Sequence, residues 1–227
     1  MTFKPLLAAC ITALGCLSAQ AATTVLTGYT VTYNDSTTFG GVSSTFGDGI
    51  SEGFGFSVPS SVQVVSDGGG PITATFALPS FTITVNSGYQ LSGLTGFLGN
   101  LVFNELRATS SSSASASAAL SVNGIAVGSF GGALARAGIS TLGSLTSGYY
   151  VGNQSAPLPA YTTLTVSGGV LTLGAMSTNG FASIIAQPQN ELRFSTVVSA
   201  VPEPETVALM LSGLAVLGTL ARRRRQG

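Results

Sequence analysis

Ile72-Thr-Ala-Thr-Phe76-Ala-Leu-Pro-Ser-Phe81-Thr-Ile-Thr-Val85 decides the fold class of this chain. On both sides of Pro79, apolar residues alternate with hydroxyl residues at a period of two. That is the pattern of strands with one face on a core and the other in water. Thr30-Val-Thr-Tyr33 repeats it upstream. Leu120–Val122 and Ile125–Val127 flank Asn123-Gly124, a dipeptide that tolerates the positive φ angles of a type I′ turn, so a hairpin is expected there. Leu164–Val166 and Val170–Leu173 flank Ser167-Gly168-Gly169, where a second hairpin is expected. Turn clusters at Ser66–Pro71 and Gln154–Pro159 separate further strands, and Glu191–Val198 reads as the last one. Ser113 to Ala119 alternates serine with alanine and is expected as a strand, with a flexible linker as the alternative. Between the two ends, glycine and serine interrupt nearly every window, and no long run carries a 3.6-residue stripe. The expectation is an all-β fold: a single antiparallel β-sandwich, jelly-roll-like, over residues 22–200.

Composition narrows the chemistry. Of 227 residues, only 7% are charged, and there is no histidine or tryptophan. Lys4 and Arg222–Arg225 make up most of the basic residues, and both cysteines, Cys10 and Cys16, lie near the N-terminus. From Thr23 to Ala200 the chain has Arg107, Arg136 and Arg193 against Asp35, Asp48, Glu52, Asp67, Glu105 and Glu191. That segment is acidic and lacks Cys, His and Lys. These absences exclude disulfides, zinc held by histidine or thiolate, Ser/His or Cys/His catalysis, and a basic nucleic-acid footprint there. No cofactor and no nucleic-acid partner are expected.

Both ends carry targeting patterns. Lys4, the apolar stretch Leu6–Leu17 and the small-residue end Ala19-Gln20-Ala21 form the three regions of a secretory signal. Residues 1–21 are expected to be a signal peptide, cut by signal peptidase between Ala21 and Ala22. At the other end, Val201-Pro202-Glu203-Pro204 precedes an uncharged apolar run, Val207–Ala221, and then Arg222, Arg223, Arg224 and Arg225. The alternating prolines favour extended backbone before the run begins. Fifteen helical residues reach about 22 Å, short of the ~30 Å hydrocarbon core. Bilayer thinning and arginine snorkelling can close that gap. The expectation is a transmembrane helix over 207–221, with its arginines cytoplasmic as topology determinants and residues 22–200 facing outward.

This order of parts resembles the PEP-CTERM sorting signal of Gram-negative bacteria. The matching residues are the motif at 202–204 with Val201 before it, the helix 207–221 and the cluster 222–225, so the resemblance covers residues 201–227 only. It implies that a membrane-embedded exosortase recognises the tail and cuts near Pro-Glu-Pro. The protein would be held briefly in the inner membrane and then pass to the outer cell surface or the extracellular matrix. Bearers of this signal usually come from bacteria that make exopolysaccharide, which implies a role in exopolysaccharide or biofilm.

Within the central domain, nothing local marks an active site. Asp48 and Glu52 stand four apart in a glycine-rich loop but lack the ordered oxygen ligands of a calcium loop, and Asp-Gly reads as a turn. A glycosidase would need two carboxylates across a cleft, and no pair is singled out by spacing. Tyr29 and Tyr33 are four apart and share a face of a strand, so they are the candidate saccharide platform. Thr30/Thr32, Thr73/Thr75, Thr82/Thr84 and Thr163/Thr165 would rank their hydroxyls, and such ranks bind ice only when several strands stack in register. The expected role is non-enzymatic: a structural or adhesive component of the matrix. A carbohydrate-binding module and a matrix glycoside hydrolase are the alternatives.

Overall fold

The computed structural model describes residues 21–34, 38–202, 207–215 and 217. Its strands are β1 (Ala21–Val25), β2 (Tyr29–Asn34), β3 (Val42–Gly47), β4 (Ser51–Ser57), β5 (Gln63–Ser66), β6 (Gly70–Ala77), β7 (Phe81–Val85), β8 (Tyr89–Leu106), β9 (Ser111–Val122), β10 (Ile125–Ala133), β11 (Ala135–Leu142), β12 (Leu145–Ala156), β13 (Thr163–Ser177), β14 (Phe181–Ala186) and β15 (Glu191–Ala200). A short helix covers 207–215 and 217.

The strands form two sheets that enclose one core, and every pairing is antiparallel. The first sheet runs β1-β2-β7-β13-β9-β10, with β6 also on β13. The second runs β11-β12-β8-β15-β4-β3, with β14 on β8 and β5 on β14. The long strands make this a sandwich of two storeys. β13 pairs with β7 through Thr163–Val166 and with β6 through Val170–Ser177. β8 pairs with β15 through Tyr89–Leu98 and with β14 through Leu101–Leu106. At 3.3 Å per residue, β8 can reach about 60 Å. The β-sandwich expected from sequence is present. The jelly-roll likeness stops at two facing sheets, because a jelly roll has eight strands and the described residues form fifteen.

Irregularities keep the long strands facing inward. In β13 the buried residues are Leu164 and Val166, then Leu171, Leu173 and Ala175. The change from even to odd falls at the register shift between Ser167 and Val170, where Gly168 takes φ +60°. This segment is a β-bulge inside one continuous strand, which corrects the hairpin expected at Ser167-Gly168-Gly169. In β8 the buried set passes from Leu91 to Leu94 and Leu98, then to Leu101 and Phe103. Gly93 (φ +62°) and Asn100 (φ +58°) mark the two changes, beside register shifts against β15 and β12.

The Asn123-Gly124 hairpin is present. Both residues have positive φ, 49° and 79°, and β9 and β10 leave it antiparallel. Strand β9 begins at Ser111, so the serine-alanine stretch is strand rather than linker. Strand β12 runs on to Ala156, which places the break later than the Gln154–Pro159 cluster suggested. In the upper core, Phe54, Phe81 and Phe194 meet with ring centroids 4.6 to 5.9 Å apart. Edge and tilted contacts of this kind add about 0.5–1.5 kcal/mol each beyond burial.

Among the described residues no helix is long and apolar enough to cross a membrane. The nine consecutive helical residues 207–215 reach about 14 Å. The expected span over 207–221 is therefore not met within them, and its last residues lie outside the description. Residues 1–20, including Ala19 of the expected signal-peptide site, also lie outside it.

Candidate functional site

Strand β15 carries the chain from the middle of the second sheet to one end of the sandwich. Its last pair is Ala200 with Tyr89, after which the Val201 N–H donates to the Gly88 carbonyl at 2.8 Å. Pro202 follows directly. Val201 is exposed, and Glu203, Pro204 and Arg222–Arg225 lie outside the described residues. The motif thus starts within two residues of a strand held in the sheet. At this end the β7–β8 turn, Asn123 and the loop before β13 surround a hollow of about 640 Å³, with Val201 and Pro202 on its wall. Asn123 stiffens it: its Oδ1 accepts from the Thr162 N–H (3.1 Å), the Thr162 hydroxyl (2.9 Å) and the Thr163 N–H (3.0 Å). At the other terminus, Ala21 of the expected cleavage site opens β1, paired with Asn34.

Tyr29 and Tyr33 do share a face, and it is the core face. Tyr29 is fully buried, with its ring against Phe54, and its hydroxyl has no partner among the described residues. Burial, reinforced by the charge of Glu52, pushes that phenol above its ordinary range. Tyr33 is half-buried with its ring edge-on to Phe56 at 5.8 Å. With Tyr29 fully buried, the pair does not present two open rings on which a sugar could stack. Tyr161 is buried too; its hydroxyl meets Thr196 Oγ1 at 2.7 Å and donates to the Gly93 carbonyl at 3.0 Å. Burial pushes its pKa up to about 12, against the pull of the Thr196 hydrogen bond.

Four of the described carboxylates, Asp48, Glu52, Glu105 and Glu191, are occupied locally. Asp48 Oδ1 accepts from the Ser51 and Ile50 N–H groups at 2.7 and 2.9 Å, which holds Asp48 below its ordinary value. Glu52 Oε2 accepts from the Gly28 N–H at 2.9 Å. Glu191 is paired with Arg193 at 2.7 Å. Glu105 is buried, bonded to Arg136 at 2.7 Å and to the Ser112 hydroxyl at 2.6 Å. The Tyr150 hydroxyl also meets Ser112 Oγ, at 3.0 Å. Ser112 belongs to the first sheet and the other three to the second, so the cluster pins the sheets together. Its place was hidden in the sequence, because Glu105 breaks the inward parity of Leu94 and Leu98 and faces inward after the irregularity at Asn100. Among the described residues no group of His, Cys, Asp or Glu is arranged to hold a metal ion.

Threonines do align across strands. Thr23, Thr32, Thr82, Thr165 and Ser121 stand opposite one another over β1, β2, β7, β13 and β9. Thr30, Thr84 and Thr163 form a second rank, and Thr82 and Thr165 touch through their hydroxyls at 3.1 Å. Thr75, Thr172 and Ser115 form a third in the other storey. No strand of the first sheet contains Asp, Glu, Lys or Arg, whereas Glu52, Glu105, Arg136, Glu191 and Arg193 all sit on strands of the second. Between the sheets, beside β10 and β12, opens an apolar cleft of about 270 Å³ lined by Phe97, Leu98, Phe130, Leu134 and Phe194.

The feature these elements position most clearly is a C-terminal processing segment issuing from a folded β domain. Residues 200–225 match the family model described as the PEP-CTERM protein-sorting motif. No curated protein matches the chain. The chain carries a PEP-CTERM sorting signal, which implies export, transient membrane anchoring and processing by an exosortase, a membrane enzyme.

Proposed function

We propose that the protein is a non-enzymatic structural or adhesive component of the cell surface or extracellular matrix, associated with exopolysaccharide. In this account signal peptidase removes residues 1–21. The segment 207–221 then holds the precursor in the inner membrane, and exosortase cuts near Pro202–Pro204. The sorting half rests on the matched tail following a strand that ends at Ala200. The adhesive half rests on the first sheet, whose strands bear ranked hydroxyls and no ionic group. Such a face suits hydrogen bonding to an uncharged polymer, with little dependence on salt.

Two measurements test the account. The intact mass of the surface or secreted form is compared between a host with the matching exosortase and its deletion strain. The wild-type form should lack the residues after about Pro204 while the deletion strain keeps them; a tail retained in both makes the C-terminus a plain anchor. The processed form should then co-sediment with the host polysaccharide to the same extent at low and high salt. No sedimentation, or loss of it in salt, removes the adhesive role.

A further inference from the structure

The hollow beside Val201 and Pro202 touches the first residues of the sorting segment, and the chain there is short. Val201 is fixed to Gly88, and the first helical residue beyond it is Val207. Six residue steps span at most about 20 Å. At most five residues, 202–206, separate the sheet from the described helical residues, so an enzyme that grips Pro-Glu-Pro in extended form works close against the sandwich. The surface it meets is the end that carries the hollow. That end is well built: Asn123 ties the β9–β10 turn to Thr162, Tyr161 is locked through its hydroxyl, and β15 is paired with β8 to its last residue. The lining is uncharged and mixed: Ser87, Gln90, Asn123 and Thr162 offer amide and hydroxyl groups beside the apolar Ala160, Val201 and Pro202, and no Asp, Glu, Lys or Arg lines it.

We infer that this hollow is a docking surface for the processing enzyme, so that the folded domain is part of the recognised substrate along with the tail. The occupant is an uncharged extracytoplasmic segment of the exosortase, placed there by continuity with the motif it cuts. The inference rests on the proposal that exosortase processes this tail. Docking at the hollow holds the scissile segment in the enzyme at a high effective concentration. A long spacer would dilute that advantage.

Conversion of precursor to mature chain is followed in the native host by pulse-chase. The variants are Gln90→Arg, Thr162→Arg, a ten-residue Gly/Ser spacer between Ala200 and Val201, and the spacer combined with each arginine. Gln90 and Thr162 are both exposed; Thr162→Arg loses the hydroxyl bond to Asn123 but keeps the Thr162 and Thr163 N–H groups that also reach it, and a thermal unfolding scan of each mature variant checks that the domain stays folded. Each arginine should slow conversion about tenfold, as loss of a strong interface contact does. The spacer should slow it similarly, and the arginines should add nothing once the spacer is present. If the spacer leaves conversion unchanged or speeds it, or if the arginines act equally with and without it, the docking surface is refuted. Pro202→Ala/Pro204→Ala serves as the separate control: normal conversion of that variant overturns the sorting account itself.

Discussion

Glu105 shows how a single residue acquires its role from backbone parity. Had β8 kept a strict two-residue alternation from Leu94 and Leu98, position 105 would point to solvent. The irregularity at Asn100 turns it inward, beneath Arg136, whose guanidinium lies 4.1 Å from the Phe103 ring centroid. A buried carboxylate costs several kcal/mol unless it is paired and hydrogen-bonded, and here Arg136 and Ser112 do both. Breaking a fully buried pair costs 3–5 kcal/mol; with Arg136 about one-third exposed, Glu105→Ala should cost about 2–3 kcal/mol. Urea unfolding of the two proteins measures it, and an unchanged midpoint would mean the pin holds nothing. Tyr29 teaches the complementary lesson. Its spacing from Tyr33 correctly places both rings on one face, but spacing does not say which face the core will cover.

At the scale of elements, the sequence was most legible where the determinant is local. Phe81–Val85 is found as a strand with the bounds its alternation suggests, and Asn123-Gly124 turns because those two residues accept positive φ. Ser167-Gly168-Gly169 has the same local look and does not turn. Strands β9, β7 and β6 hold both halves of β13 in one line, so tertiary pairing absorbs the glycines as a bulge. The tail was legible because its signal is contiguous. The uncharged first sheet was not, because it appears only once seven separated segments are placed side by side. Strand β10 offers a test of glycine within such pairing. Gly131 has φ +123°, and a Cβ there would run into the Ala116 carbonyl, whereas a Cβ on neighbouring Gly132 meets open space. Gly131→Ala should lose about 1–3 kcal/mol and speed amide exchange across the β9–β10 pairing, while Gly132→Ala stays near wild type. Equal effects of the two would show that the close approach to Ala116 is not what demands glycine.

For the whole molecule, the core and the sorting tail divide cleanly. Among the described residues, every buried hydrophobic side chain lies between Tyr29 and Phe194, and the helical residues past 206 are exposed. A cut near Pro202–Pro204 would therefore take away none of the described core residues. A chain ending at Pro202 should unfold at the same urea midpoint as the domain within the full-length protein. A lower midpoint would mean that the tail contributes to the fold. The segregation of charge to one sheet also gives the molecule two unlike sides, one ionic and one hydroxylated.

The course of β15 bears on force. A load applied through the tail while it is held in the membrane enters at Val201 and runs along a strand flanked by β8 and, over Ser51–Ser57, by β4. Drawn along its axis, β15 slides against both neighbours, and their hydrogen bonds bear the strain together rather than opening one by one. While the tail holds the precursor, a pull on it is therefore met by a strand paired on both sides over Leu192–Val197 rather than by an edge strand.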